Sequence, residues 1–296
     1  MTPCTNADPG ALWLDAVRHG DFAAAWLISD RVLEERRAAG PYWHLPRHEQ
    51  WLWDGRPPAG RRVLVHCYHG LGDTIQFARF LPALSQLARE VLVWAQPSLV
   101  SLLRTLPGVG QVLPLHDGSP EVQRDADVEV MELAHLLRVT QAELPTLVPY
   151  FVAPSAQRLS ARFSVGVGLT SGQWDPRRSV PTEALGNLDD GKDWFSLQLE
   201  SPIAGMRDVS TPDIVALAGR LMSLDLVITV DTMLAHLAGA LGVPTWTLLP
   251  HDADWRWQTD RDDSPWYPTM RLFRQPCAGN WSSVLDGVRR ELRCVR

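Results

Sequence analysis

The sequence predicts an α/β protein built from two successive doubly wound, Rossmann-like halves, and three observations predict it. Short apolar runs alternate with amphipathic helical stretches from Val63 onward, the rhythm of a parallel sheet with helices on both faces. The rhythm breaks at a stretch punctuated by Pro145, Pro149 and Pro154, then restarts at Phe163. The length of 296 residues exceeds a typical single domain and suits two.

The elements follow in order. From Pro9 to Ala39 the pattern is helical. Trp13, Leu14 and Val17 mark one apolar stripe, and Phe22, Trp26, Leu27 and Val32 mark a second after the break at His19-Gly20. This helix pair reads as an appendage. Pro41 to Gly60 holds four prolines and three tryptophans (Trp43, Trp51, Trp53) and reads as a packed, irregular connector. Val63 to Cys67 is the first strand, followed by an amphipathic helix through Phe77, Phe80, Leu81 and Leu84. Val91–Trp94, Gln111–Leu113 and Val128–Met131 are the next strands, with a helix over Leu99–Leu106. In the second half, strands are expected over Phe163–Leu169, Trp194–Gln198, Leu226–Val230 and Thr245–Leu249, with a helix over Met233–Leu241. The expected domains are 1–58 (helix pair and connector), 59–155, 156–278, and 279–296 (a last helix).

Composition excludes several function classes. Hydrophobic residues at 45% and charged residues at 21% let each half bury a core. A net charge of −6 argues against a nucleic-acid partner. Arg289, Arg290, Arg293 and Arg296 read as the solvated face of the last helix, with a membrane-surface contact as the other reading. No apolar run reaches the roughly 20 residues of a membrane span. Cys4, Cys67, Cys277 and Cys294 form no metal spacing, and Met1-Thr2-Pro3-Cys4 has no signal-peptide character. A cytoplasmic protein is therefore expected.

Four motifs carry chemistry. In His69-Gly70-Leu71-Gly72-Asp73-Thr74, two glycines at a strand-to-helix turn let backbone approach a ligand at a helix N-terminus. Asp73 is either a capping carboxylate of that helix or a general base for an acceptor hydroxyl. The third glycine of a dinucleotide fingerprint is missing, which argues against a nicotinamide enzyme. In Asp231-Thr232-Met233-Leu234-Ala235-His236, a strand ends in an Asp-Thr pair before a helix rich in small residues (Ala235, Ala238, Gly239, Ala240). The N–H groups opening that helix suit a diphosphate. His236 is either a packed helical histidine or a residue facing the same site.

The third motif is the Gly/Ser/Thr-rich run from Gly166 through Thr170 to Gly172, followed by Arg177-Arg178. It is either a diphosphate grip or a solvent loop with two surface arginines. In the fourth, Asp252 and Asp254 form a D-x-D beside Trp255, Trp257 and Trp266. No strand-flanked acidic pocket accompanies it, so metal binding is not expected, and the tryptophans are either aromatic walls or core.

Together these motifs resemble bacterial glycosyltransferase family 9, the ADP-heptose:lipopolysaccharide heptosyltransferase-like enzymes, in the branch commonly fused to tetratricopeptide repeats. The resemblance rests on Trp53-Asp54-Gly55, GLGDTIQFARFLPAL (Gly70–Leu84), RRSVP (Arg177–Pro181) and FSLQ (Phe195–Gln198). It continues in LDLVITVDTMLAHLAGALGVPTW (Leu224–Trp246), DWRW, and DSPWYPTMRLFRQ, which ends at Gln275. It spans about residues 50 to 290. It implies a GT-B fold, in which the two Rossmann-like domains face a central cleft, the first for the acceptor and the second for the nucleotide-sugar donor. It implies Asp73 as catalytic base, and Asp231, Thr232, Met233, Leu234 and His236 as holders of the donor diphosphate and sugar. Arg178 would neutralise phosphate, and Gly70, Gly72, Thr170 and Gln198 complete the donor set.

The sequence departs from the heptosyltransferase pattern in three places. Arg178 stands where those enzymes have Lys, Met233 stands for a glycine, and Leu199-Glu200-Ser201-Pro202 replaces a glycine-bearing continuation. The expected function is inverting, metal-independent and cofactor-free sugar transfer from a nucleotide-diphosphate sugar to the hydroxyl of a glycan, glycolipid, protein or small molecule. A non-catalytic GT-B scaffold that binds a nucleotide or a partner protein is the first alternative. A nucleotide-sugar hydrolase or epimerase is the second.

Overall fold

The computed structural model describes residues 8–39, 44–154, 157–172, 174–182 and 191–295. Cys4, Pro41, Trp43 and Arg296 lie outside them. The chain forms two compact units. One gathers the described residues of Met1–His69, Phe77–Thr146 and Asp254–Asp260; the other gathers Gly70–Gln76, Leu147–Ala253 and Arg261–Arg296.

In the first unit, α1 (Pro9–Arg18) opens with Pro at its start and Asp8 accepting the Gly10 amide. The chain turns at Gly20, whose φ of +76° suits glycine, and enters α2 (Phe22–Ala39). Phe22, Ala25, Trp26 and Ser29 are buried, an i, i+3, i+4, i+7 face. Leu27 was expected in this stripe. It lies on the other side of the helix and is 64% exposed. The helix pair is pinned by polar contacts. Trp26 Nε1 donates to the Val139 carbonyl at 2.8 Å, and Asp30 takes hydrogen bonds from His135 Nε2 at 2.9 Å and Arg138 Nη2 at 2.6 Å.

Four parallel strands follow: β1 (Arg62–His66), β2 (Glu90–Ala95), β3 (Val109–Pro114) and β4 (Ala126–Glu129), in the order β3-β2-β1-β4. The single helix expected after β1 is two, α3 (Leu71–Phe77) and α4 (Leu81–Leu87), joined by a 3-10 turn over Ala78–Phe80. Pro82 explains the break, because its ring excludes the carbonyl of Ala78 and it has no N–H to donate. The helix expected over Leu99–Leu106 is likewise shorter: a 3-10 turn at Pro97–Leu99 leads into α5 (Val100–Leu103).

β4 ends at Glu129 rather than Met131. The Glu129 carboxylate accepts the Met131 amide, and Glu132 accepts the Glu129 amide, a reciprocal box that turns Val130 and Met131 into a 3-10 helix. A short helix, α6 (Leu133–Leu136), follows. Glu132 Oε2 also accepts the amides of Leu52 and Trp53, which seats the connector. Burial raises the Glu132 pKa despite these three donors.

The second unit carries a parallel sheet of β5 (Ser164–Gly168), β6 (Asp193–Ser196), β7 (Arg207–Asp208), β8 (Leu226–Val230), β9 (Thr245–Leu249) and β10 (Met270–Arg274). Its order is β10-β9-β8-β5-β6-β7. Counted from β5 this is 3-2-1-4-5-6, the order of a dinucleotide-binding Rossmann sheet. β5, β8 and β9 are buried along their whole length. Helices α7 (Ile214–Met222), α8 (Met233–Ala240) and α9 (Trp281–Leu292), with most of α3, complete the unit. Val165, Val167, Ile228, Val230 and Leu248 pack with Val284, Leu285 and Val288 of α9 in one core cluster. α9 leaves Arg290 and Arg293 exposed, while Arg289 pairs with Asp286 at 2.8 Å. Among the described residues, no helix is long and apolar enough to cross a membrane.

Candidate functional site

A parallel sheet binds ligands outside the carboxyl ends of its strands, at the point where the strand order reverses. In the second unit that point lies between β5 and β8, which run in register with Gly168 opposite Thr229. The loop after β5 holds Thr170 and leads to Arg178. The loop after β8 is Asp231-Thr232. Topology thus gathers the third and second motifs at one place.

The glycines of β5 serve the core. A Cβ on Gly166 would lie 2.4 Å from Leu224 Cδ1, and one on Gly168 would lie 2.6 Å from Leu234 Cδ2. The loop beyond is cross-braced. Ser171 N donates to Ser179 Oγ at 2.9 Å, and Ser171 Oγ donates to the Asp175 carbonyl at 2.9 Å. Asp175 caps the 3-10 turn Pro176–Arg178 and holds Arg177 in a two-point ion pair, which keeps its carboxyl below the usual range. The paired arginines therefore divide. Arg177 lies on the surface with its own carboxylate, and Arg178 turns inward.

Arg178 Nη1 donates to the Asp231 carbonyl at 2.9 Å and lies 3.6 Å from Asp231 Oδ2. Its Nε is buried with no hydrogen-bond partner among the described residues. Asp231 is buried at the end of β8, and His236 Nε2 lies 3.8 Å from its other oxygen, Oδ1. One carboxylate thus stands between a guanidinium and an imidazole.

Thr232 is the N-cap of α8 but makes no side-chain capping bond; its hydroxyl donates weakly to the Val230 carbonyl at 3.4 Å. The Ala235 and His236 amides return to the Thr232 carbonyl. Helix geometry leaves the first amides, those of Met233 and Leu234, directed out of the helix end. Leu234 is buried against β5, and Met233 is partly buried.

Helix α3 meets α8 through Gly72. A Cβ there would lie 2.8 Å from His236 Cδ2 and 3.5 Å from Met233 Cα, so glycine is required for this approach. The first and second motifs are thereby in contact. Asp73 stands at the third position of α3, and its Oδ2 accepts the Gly70 amide at 3.0 Å, half of a capping box. It is only partly buried.

Gln198, expected on the donor, is tied to backbone: its Oε1 accepts the Leu169 amide at 2.7 Å, and its Nε2 donates to the Ser201 carbonyl at 2.7 Å. It fixes the loops after β5 and β6 to each other. The D-x-D also divides, since Asp254 caps the turn Trp255–Trp257 and pairs with Arg256 Nη1 at 2.9 Å. Trp257 and Trp266 are core residues.

Sequence reasoning missed Tyr267. Its hydroxyl lies 3.0 Å from His236 Nδ1, and its ring is wholly buried. Gly239 makes the space, because a Cβ there would lie 2.5 Å from the ring. A glycine inside a helix was the available signal, since it weakens the helix unless something packs against it.

In the first unit side chains tie the end of β1 to β4. His66 Nε2 bonds Asp127 Oδ1 at 2.6 Å, His66 Nδ1 bonds the Tyr68 hydroxyl at 2.8 Å, and Arg124 Nε bonds Asp127 at 2.6 Å. Burial holds His66 below its ordinary pKa, against the pull of Asp127. Burial also pushes the Tyr68 phenol up to about 12. Arg47 lies over the Tyr68 and Trp94 rings and donates to the carbonyls of His116, Asp117 and Gly118.

No protein-family model matches the chain, and no curated protein does. Solved structures do. Escherichia coli heptosyltransferase WaaC with ADP aligns at a TM-score of 0.52 and 15% identity, over 78% of this chain and 98% of that one. E. coli ADP-heptose lps heptosyltransferase II aligns at 0.53 and 15%, over 79% and 98%. The glycosyl transferase family 9 structure from Veillonella parvula DSM 2008 aligns at 0.51 and 12%, over 80% and 90%. The chain has the GT-B fold of these glycosyltransferases, as the motif resemblance implied.

Proposed function

We propose that the protein is an inverting, metal-independent glycosyltransferase that moves a sugar from a nucleotide-diphosphate donor to an acceptor hydroxyl. The observation that carries this reading is the meeting of Arg178, Asp231 and the opening turn of α8 at the reversal point of a Rossmann sheet. Structures with the same fold include one solved with ADP, which supports a nucleotide as ligand.

In the reaction, the acceptor oxygen bonds to the anomeric carbon as the bond to the diphosphate oxygen breaks. Asp73 takes the acceptor proton. Arg178 and the amides opening α8 receive the charge that collects on the leaving diphosphate, and such preorganised dipoles supply a large share of catalysis. These groups supply the positive charge without a cation or cofactor, and the Asp254 carboxylate is already engaged by Arg256. Thr170, Gly70, Gly72, Met233, Leu234 and Gln198 shape the donor pocket, Gln198 by holding its loops. Residues 59–155 form the acceptor domain and 156–278 the donor domain. The cytoplasm is the proposed location.

The bond from the Gly70 amide to Asp73 favours a second reading, in which Asp73 is only a cap and the protein binds a nucleotide without transfer. Melting in the presence of ADP-, GDP-, UDP- and dTDP-sugars tests both readings, since a ligand at 100 times its dissociation constant adds about 2.7 kcal/mol. One donor is expected to stabilise; no shift with any of them overturns both. With the donor so identified, Asp73→Asn keeps an oxygen for the Gly70 amide and removes the base. Transfer should fall by about 10²–10⁴-fold with donor affinity retained; transfer at the wild-type rate would make Asp73 a cap.

A further inference from the structure

We infer that Tyr267 is a positioning residue that fixes His236 in the neutral tautomer protonated on Nε2, so that the imidazole turns its N–H toward Asp231 at the start of α8. The inference rests on the donor-site reading above and names a residue outside the expected donor set.

Each ring nitrogen of His236 faces a different polar neighbour. Nδ1 faces the Tyr267 hydroxyl at 3.0 Å, and Nε2 faces Asp231 Oδ1 at 3.8 Å. A phenol can donate or accept, whereas a carboxylate only accepts. If Tyr267 accepted from an Nδ1 proton, the Nε2 lone pair of a neutral ring would face the carboxylate, which is repulsive. If Tyr267 donates to Nδ1, the proton sits on Nε2 and faces Asp231, which is attractive. Of the two neutral forms only the second suits both neighbours, and the hydrogen bond to one nitrogen selects the tautomer at the other.

Packing holds the arrangement. Both rings are buried, with centroids 5.9 Å apart at 60°. Gly239 admits the Tyr267 ring beneath α8, and Gly72 admits His236 Cδ2 on the side of α3. Two glycines from separate motifs thus bracket the pair. His236 sits on the first turn of α8, beside the amides that face the diphosphate and near Asp231, which Arg178 also approaches. A directed Nε2–H steadies Asp231, whose carbonyl and carboxylate Arg178 approaches, and Tyr267 acts on the ligand only through that chain.

The test is the tautomer itself. Long-range 1H–15N correlation of histidine-labelled, ligand-free protein at pH 8 separates the two neutral tautomers from the imidazolium, with the His236 signal assigned by its loss in His236→Gln. The Nε2–H form is expected; a predominant Nδ1–H form or imidazolium overturns the inference, and this measurement needs no Tyr267 variant to fold. Tyr267→Phe retains the ring under Gly239. It is expected to mix the tautomers and weaken binding of the nucleoside diphosphate that the wild type binds by about tenfold, the worth of one hydrogen bond. An unchanged tautomer with unchanged affinity overturns the inference. If the wild type binds none of ADP, GDP, UDP and dTDP, the donor-site reading fails, and the tautomer of the wild type still decides this one.

Discussion

Helices α7, α8 and α9 each begin on the carboxyl side of the same sheet, yet they finish their N-termini differently. α7 is capped by Asp213, which accepts the amides of both Val215 and Ala216, and α9 by Asn280, which accepts the Ser283 amide. α8 starts at Thr232 with no side-chain cap. Unsatisfied amides at a helix start cost stability unless something accepts from them. α8 thus departs from the solution its two neighbours use, beside the strand-order reversal where open α/β sheets bind ligands. Arg178 and His236 stand beside that helix start, whereas the capped helices need only their own Asp or Asn.

Giving α8 the cap its neighbours have should have the largest effect. Thr232→Asp places a carboxylate where the diphosphate would sit, next to Asp231. Calorimetric affinity for the nucleoside diphosphate should fall by about 100-fold through like-charge repulsion, while far-ultraviolet circular dichroism stays native. Undiminished binding would mean that the ligand does not use this helix end. Removing a neighbour's cap should do the reverse. Asp213→Ala should lower stability by about 1 kcal/mol in urea unfolding and leave nucleotide affinity unchanged; a matching loss of affinity would mean that α7 takes part in the site.

A smaller effect separates the two units. Burial keeps His66 and His135 below their ordinary pKa of 6.5, so the unfolded chain binds protons that the folded chain refuses. Stability should fall as pH drops below about 6.5, before the carboxylates titrate. His66→Gln should flatten that part of the profile measured by urea unfolding at successive pH values, and an unaltered slope would remove His66 from the account.

The parts legible in the sequence were those set by local pattern. The strand at Leu226–Val230, its Asp-Thr end and the small-residue helix beyond follow from apolar runs and helix-start chemistry, and they appear as expected. Where longer-range packing decided, the pattern misled or stayed silent. Leu27 belongs to an apolar stretch, but the buried face runs through Ala25 and Ser29 instead. Short β7 has little pattern of its own, and the sequence reading places no element at α7 or β10. Pro82 in the helix after β1 was a readable signal for the split between α3 and α4. Gly166 and Gly168 look like ligand glycines in one dimension, and only the positions of Leu224 and Leu234 show them to be packing glycines. Tyr267 lies 31 residues from His236, so their pairing was invisible until α8 and the segment before β10 were placed together.

The central claim is that Arg178 and the start of α8 hold a diphosphate. Its most direct test is isothermal titration of wild type and Arg178→Gln with the diphosphate and with the corresponding unphosphorylated nucleoside. The account predicts that the wild type binds the diphosphate and not measurably the nucleoside. It also predicts that Arg178→Gln loses about 10–100-fold in diphosphate affinity, the worth of a charged hydrogen-bond donor. Equal diphosphate binding by the two proteins, or equal affinity of the wild type for nucleoside and diphosphate, would contradict it.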